Sequence, residues 1–488
     1  MDVFERRRAG ILLHPTSLPG SPGNGDLGPD AYRFVDFLVE SGVSLWQTLP
    51  LGPIHEDLSP YQCMSVHAGD FRFINLQVLV EWGWLDDAAL DPAAPVDPQR
   101  LMRLAAAYNG FQSRADSTER EALTRFSASH AHWLDDYALY QVLRAEYGGK
   151  AWFHWPAPVR DRQPEALIEE RRRLAGPIEQ ARFQQFLFYR QWAQLRHYAN
   201  ERGVLMFGDI PIFVAHDSAD VWAQRQWFAV DEEGQPQVVA GVPPDYFSST
   251  GQRWGNPHYR WDAMREDDFG WWRQRVHSQL EMFDLVRIDH FRGFEAYWEI
   301  DAHCETAVEG RWVEGPGDEF LGALTRDFPE QLPLVAEDLG VITPEVTALR
   351  KRFNLPGMKI LQFAFDGSRD NAYLPHNHEV LGVVYTGTHD NNTTLGWYQE
   401  LSNDQRSLLH HYLGDSPEAM PWLLVRAALA SVARLAVIPM QDVLGLDAAD
   451  RMNVPGVTEG NWRWRFSWDQ LRDDQRARLS DWVSLYDR

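Results

Sequence analysis

The chain has 488 residues, 44 % apolar and 24 % charged, with a formal net charge of −24. That length holds one large domain with insertions or two to three smaller ones, and the composition is that of a folded globular protein. The charge argues against nucleic acid or an anionic membrane as the main partner, since both need a basic surface, and it fits a neutral substrate.

Two cysteines, Cys63 and Cys304, supply neither a disulfide framework nor a metal set. Near the N-terminus only Ile11, Leu12 and Leu13 form an apolar run, too short for a signal peptide, and nothing approaches the roughly eighteen apolar residues of a membrane span. The expected location is therefore the cytoplasm. The 21 Trp, 16 Tyr and 25 Phe suit filled cores and also sites that stack flat sugar faces.

In chain order, Gly10 to Leu13 reads as a buried strand, followed by a Pro- and Gly-rich loop from His14 to Gly28. Pro29 opens an amphipathic helix to about Ser41, with Gly42 as its stop. The loop segment Gly23-Asn24-Gly25-Asp26-Leu27-Gly28 matches GxGxxG formally, but several residues separate it from the strand, and the next strand, Val43 to Leu49, ends in Pro50 and Gly52 where a ribose-binding acid should stand. A nucleotide site is rejected. A turn-rich loop to Asp70 follows, and then a helical pattern over 76–202, interrupted by Pro-rich breakers. Within it Phe183, Phe186, Leu187, Trp192, Leu195 and Tyr198 recur at helical spacing and read as core.

Val204 to Ile210 resumes a strand with Asp209 at its end. The segment Gly241 to Tyr259 combines Gly and Pro with Tyr246, Phe247, Trp254 and Tyr259, the make-up of an aromatic lid loop. In Asp284 to Gly293, DLVRIDHFRG, Val286 and Ile288 share one face while Arg287 and Asp289 share the other. Further strands are expected at Leu334–Glu337, Met358–Phe365, Val383–Thr386 and Val437–Gln441, with helix starts at Thr343 and Ser416. Eight strands alternating with helices predict an α/β fold, a TIM (β/α)8 barrel. It would carry a large helical insertion after the second strand and the lid after the third. The expected division is 1–75 for the first two strands, 76–202 for the helical subdomain, and 203–488 for the rest of the barrel with lid 241–259.

A barrel gathers its chemistry at the C-terminal strand ends. Asp209, Arg287, Asp289, Glu337, His389 and Asp390 fall there. An Arg–Asp ion pair alone would account for DLVRIDHFRG, but carboxylates on four different strands with an Arg and a His do not read as helix caps. Glycoside cleavage needs one carboxylate to attack the anomeric carbon and another to protonate the leaving oxygen. Asp289, beside Arg287, fits the nucleophile; Glu337, following Val335 and Ala336, fits the acid/base; Asp390 fits a third carboxylate that grips the distorted sugar. No His/Cys spacing or EF-hand loop accompanies them, so no metal site is expected.

The series HPTSLPG, GDLG, SPYQ, GDIPIFV, PPDYFSSTGQRWGNPHY, RIDHFRG, AEDLG and GTHDNNTT, running from about Gly10 to NWRWR at Asn461–Arg465, resembles the 4-α-glucanotransferases, also called amylomaltases or disproportionating enzymes, a branch of the α-amylase-type barrels. The resemblance implies Asp289 as nucleophile, Glu337 as general acid/base and Asp390 as transition-state stabiliser. It implies Arg287, His389 and Asp209 as supporting residues, Tyr61 and Tyr246 as glucan contacts, and Trp254 in the lid. It also implies maltooligosaccharides and larger α-1,4-glucans as partners, and no cofactor or catalytic metal. After SPYQ this chain has Ser65-Val66-His67-Ala68-Gly69-Asp70 where the family often has Ser-Ala-Phe-Ala-Gly-Asn, and Asn392 stands where an acid is frequent. The expected reaction is transfer of α-1,4-glucan segments to the 4-hydroxyl of an acceptor. The alternatives are a hydrolase with the same carboxylates or an inactive carbohydrate-binding barrel.

Overall fold

A computed structural model describes residues 3–21, 23–87, 96–244, 248–414, 416–457 and 459–488, with 96–98 by their backbone. Its centre is a parallel sheet of eight strands: β1 Arg8–Leu12, β2 Leu45–Gln47, β3 Leu205–Pro211, β6 Leu285–Asp289, β9 Leu334–Ala336, β10 Gly357–Ile360, β11 Gly382–Tyr385 and β12 Leu435–Pro439. The spatial order β10-β11-β12-β1-β2-β3-β6-β9 curls the sheet almost shut, and the Ala336 N–H meets the Pro356 carbonyl at 2.9 Å across the remaining seam. This is the expected barrel.

Period-two alternation separates its two faces. Leu12, Leu45, Phe207, Leu285, Val335, Met358, Val383, Leu435 and Val437 form one buried cluster, the barrel interior. Their neighbours Ile11, Trp46, Met206, Val286, Ala336, Val384 and Ala436 join a second, larger cluster with the surrounding helices. Because both faces are apolar, the strands read as continuous hydrophobic runs, as parallel strands covered on both sides do.

Between β2 and β3 the described chain is mainly helical, from Leu76–Glu81 to the long helix Ala175–Glu201. Phe183, Phe186, Leu187, Trp192 and Leu195 of that helix are buried, so its aromatic stripe is core. The helix Pro29–Glu40 begins on its proline, and Gly42 beyond it takes the left-handed conformation (φ 70°) expected of a stop.

Several boundaries differ from expectation. The strand predicted at Met358–Phe365 ends at Ile360, where a 3-10 turn, Leu361–Phe363, takes over, and Gln441 belongs to a short helix, Met440–Leu444, that follows β12. No helix starts at Ser416; its hydroxyl accepts the Glu418 N–H in a local turn, and the helix runs Trp422–Ala430. The larger correction concerns Gly241–Tyr259, which is not a loop throughout. Val238–Val242 (β4) and Gln252–Pro257 (β5) pair antiparallel and join Ala296–Asp301 (β7) and Arg311–Glu314 (β8) in a four-stranded sheet of order β5-β4-β7-β8. Trp254 therefore stands on a strand.

Candidate active site

Strand β6 climbs the barrel wall through Leu285, Arg287 and Asp289, all on the inward face. Parallel pairing sets Asp209 of β3 directly opposite Arg287, both buried. Arg287 Nη1 donates to Asp209 at 2.9 and 2.7 Å, while Nη2 donates to Asp289 Oδ1 at 2.6 Å. One guanidinium thus serves a buried carboxylate beneath it and a half-buried one at the mouth. The planar fork of arginine makes that possible, and a lysine point charge would not reach both. Burial works against the Arg287 charge, but Asp209 and Asp289 outweigh it and hold its pKa well above the ordinary value. Burial pushes Asp209 up to about 6 against the pull of Arg287, so at neutral pH it remains a carboxylate.

Tyr61 comes from the loop after β2 and donates its hydroxyl to Asp209 Oδ2 at 2.7 Å. Burial first and Asp209 second keep that hydroxyl protonated, with its pKa well above normal. Its ring stacks on His389, centroids 5.1 Å apart and planes 16° from parallel. His389 Nε2 lies 3.3 Å from Asp390 Oδ2, and Asn453 Nδ2 donates to the other Asp390 oxygen at 2.6 Å. Partial loss of solvent in the cleft works to raise the Asp390 pKa, but His389 and the Asn453 hydrogen bond prevail and hold it below the usual carboxylate range.

Glu337 sits one residue beyond β9, inward like Val335, and is 9 % exposed. Its Oε1 accepts the Leu339 N–H at 2.8 Å and its Oε2 accepts the His290 N–H at 2.6 Å. His290 reaches it by adopting a left-handed backbone, φ 56°, a conformation uncommon outside glycine. Burial pushes the Glu337 carboxyl up to about 7, with the Asp289 charge adding to the rise while Arg287 and the two N–H groups oppose it. A carboxyl poised there can give a proton in one step and take one in the next.

Trp254 on β5 stands edge-on to the His290 ring, centroids 4.9 Å apart at 90°. Gln62 Nε2 donates to Asn256 Oδ1 at 3.1 Å, tying the Tyr61 loop to the strand that bears Trp254. Tyr246 lies outside the described residues. The structure thus brings together Asp289, Glu337, Asp390, Asp209, Arg287, His389 and Tyr61, with Trp254 at the edge. Among the described residues no group of three His, Cys, Asp or Glu side chains is placed to hold a metal ion.

Sequence reasoning did not single out Gln62, Asn256, His290 or Asn453. Gln62 and Asn256 sit in quoted motifs, so their place beside Tyr61 and Trp254 was a usable signal. Nothing local marks the role of Asn453.

The 4-alpha-glucanotransferase family model matches residues 13–471. A 4-alpha-glucanotransferase of Thermus thermophilus is 51 % identical over 97 % of both chains, and one of Synechocystis is 46 % identical over 100 % of this chain and 99 % of its own. Among solved structures, an amylomaltase from Streptococcus agalactiae in complex with acarbose superposes with a TM-score of 0.95 at 36 % identity, covering 99 % of this chain and 100 % of its own. An alpha-amylase from Geobacillus thermoleovorans, at a TM-score of 0.51 and 10 % identity over 98 % of this chain and 78 % of its own, shares the fold alone.

Proposed function

The chain belongs to the 4-alpha-glucanotransferase family, and we propose that Asp289, Glu337 and Asp390 carry its reaction by a retaining double displacement. The enzyme transfers α-1,4-glucan segments from a donor to an acceptor glucan. In the first step an Asp289 oxygen attacks the anomeric carbon. The C1–O4 bond breaks, and its electron pair stays on the leaving oxygen, which takes the Glu337 proton. In the second, the acceptor 4-hydroxyl gives its proton to Glu337 and displaces Asp289, so two inversions restore the α configuration.

Asp390, held ionised, grips sugar hydroxyls and favours the cationic transition state. Tyr61, its ring fixed by the Asp209 bond and the His389 stack, offers a flat apolar face to the same sugar. Trp254 forms the acceptor platform, which lets sugar outcompete water for the intermediate. The proposed partners are maltooligosaccharides and larger α-1,4-glucans. The free thiols Cys63 and Cys304 suit a reducing cytoplasm. No helix among the described residues is long and apolar enough to cross a membrane.

What supports these roles above all is the unlike surroundings of two neighbouring carboxylates. Asp289 is ion-paired at 2.6 Å, while Glu337 is buried and pushed up to about 7. Environments that drive two acids apart mark a division between nucleophile and proton donor. Incubation with maltotriose tests the reaction. Glucose together with a ladder of longer maltooligosaccharides is expected, and shortened products alone would favour a hydrolase.

A further inference from the structure

The Asp390 side chain is 47 % exposed, so packing alone does not fix its orientation. Polar partners must, and each of its oxygens has one: Oδ2 faces His389 Nε2 at 3.3 Å and Oδ1 accepts from Asn453 Nδ2 at 2.6 Å. His389 belongs to the same turn as Asp390, whereas Asn453 comes from the chain beyond β12.

That segment is itself firmly held. Arg451 spans it, donating Nη2 to the Asp390 carbonyl at 3.0 Å and Nε to the Asn453 carbonyl at 3.2 Å. Met452 is buried in the barrel-interior cluster, and its carbonyl accepts the Trp462 N–H at 2.8 Å. Asn461 closes the return, accepting from Val454 N at 2.9 Å and donating to the Val457 carbonyl at 2.8 Å. Trp462 then adopts a left-handed backbone, φ 64°, and its ring meets both Tyr61 at 6.0 Å and His389 at 5.9 Å. Strain of this kind in a bulky residue persists only where the surroundings over-determine it, and it gathers at functional sites.

We propose that Asn453 is a positioning residue for Asp390, held by Arg451 and Met452 on one side and by Asn461 and Trp462 on the other. The amide holds the Asp390 carboxylate toward the reacting sugar, while Trp462 backs the Tyr61–His389 stack. This rests on the role given to Asp390 above.

The groups that face Asp390 are His389, Arg287, Arg451 and Tyr61, and none of them is altered by a change at position 453. Asn453→Ala removes the hydrogen bond, and Asn453→Asp keeps the shape while placing a second carboxylate against the first. Both are assayed for maltotriose disproportionation across the pH range, with melting temperature as the check on folding. Misplacing a reacting group by about an ångström lowers rate by about a hundredfold. The alanine variant should lose kcat on that scale with KM within about threefold of the parent. In the aspartate variant two carboxylates in hydrogen-bond contact cannot both ionise, so the acid limb of the kcat profile should move up by about one pH unit or more. If the alanine variant melts below the assay temperature, the isosteric aspartate variant decides alone. Parent-like kcat and an unmoved acid limb in folded protein would overturn the proposal. Asp390→Asn separates the two readings: full activity there would remove the role of Asp390 itself, whereas an inactive Asp390→Asn with indifferent Asn453 variants would remove only the positioning.

Discussion

The backbone N–H of His290 donates to Oε2 of Glu337 at 2.6 Å. His290 follows Asp289 directly, so one peptide unit fixes the Glu337 carboxyl relative to Asp289. The left-handed turn at His290 (φ 56°) aims that N–H, and the half-buried ring above it is pushed down to about 3 by desolvation and by Arg292, so it packs against Trp254 as a neutral group. Trp254 and the Glu337 carboxyl therefore share His290 as a common contact.

Replacing Glu337 by Gln preserves shape and removes the transferable proton. Turnover of maltotriose should fall by about 10²–10⁴-fold, the range general acid–base catalysis supplies. The fold should survive, as judged by an unchanged circular dichroism spectrum. Parent-like turnover would remove Glu337 from the chemistry.

The pH dependence has a definite sign. In the proposed mechanism the acid form of Glu337 protonates the leaving oxygen, and burial lifts its pKa to about 7. About half the molecules carry the proton at that pH and roughly a tenth do one unit higher, so kcat/KM should fall about tenfold per unit on the alkaline side. Rates measured from about pH 5 to 9 should show this limb, and a flat profile would contradict the assigned acid.

The barrel and the polar cluster at its rim were legible because parity along each strand is a local property. In DLVRIDHFRG the alternation puts Arg287 and Asp289 on one face whatever the strand's neighbours are. What the alternation does not contain is register. The division of Arg287 between Asp289 and Asp209 depends on β3 lying beside β6 with Asp209 opposite Arg287. The small antiparallel sheet was missed for a similar reason. Its strands are short, separated by up to about fifty residues, and one of them, Arg311–Glu314, is largely exposed, so its sequence lacks the apolar alternation of a half-buried strand. Asn453 was invisible because its partner, Asp390, lies 63 residues away.

Arg287→Ala should be the most destabilising substitution in the site, because it leaves Asp209 buried without its counter-charge. Removing one member of a buried ion pair costs about 3–5 kcal/mol. Chemical denaturation should show a midpoint shift of that size, and combining Arg287→Ala with Asp209→Asn should recover part of it. Arg287→Lys should retain more stability but little activity, since one ammonium cannot span Asp209 and Asp289.

Trp254→Ala should change the fate of the intermediate more than its formation. The indole packs edge-on to His290, a contact worth about 0.5–1.5 kcal/mol, so the site should remain assembled. Loss of the proposed acceptor platform should raise the fraction of donor lost to water, read as new reducing ends per transfer event. An unchanged ratio would place acceptor selection elsewhere.

The most direct test of the central claim uses Glu337→Gln with an α-maltosyl fluoride donor. Fluoride leaves without a proton, so the first displacement proceeds, while the second lacks its base and the glycosyl group should stay on the enzyme. Mass spectrometry of the quenched, digested protein should find the added maltosyl group on the peptide that contains Asp289. Continued fluoride release with no adduct, or an adduct on another residue, would contradict the double displacement at Asp289.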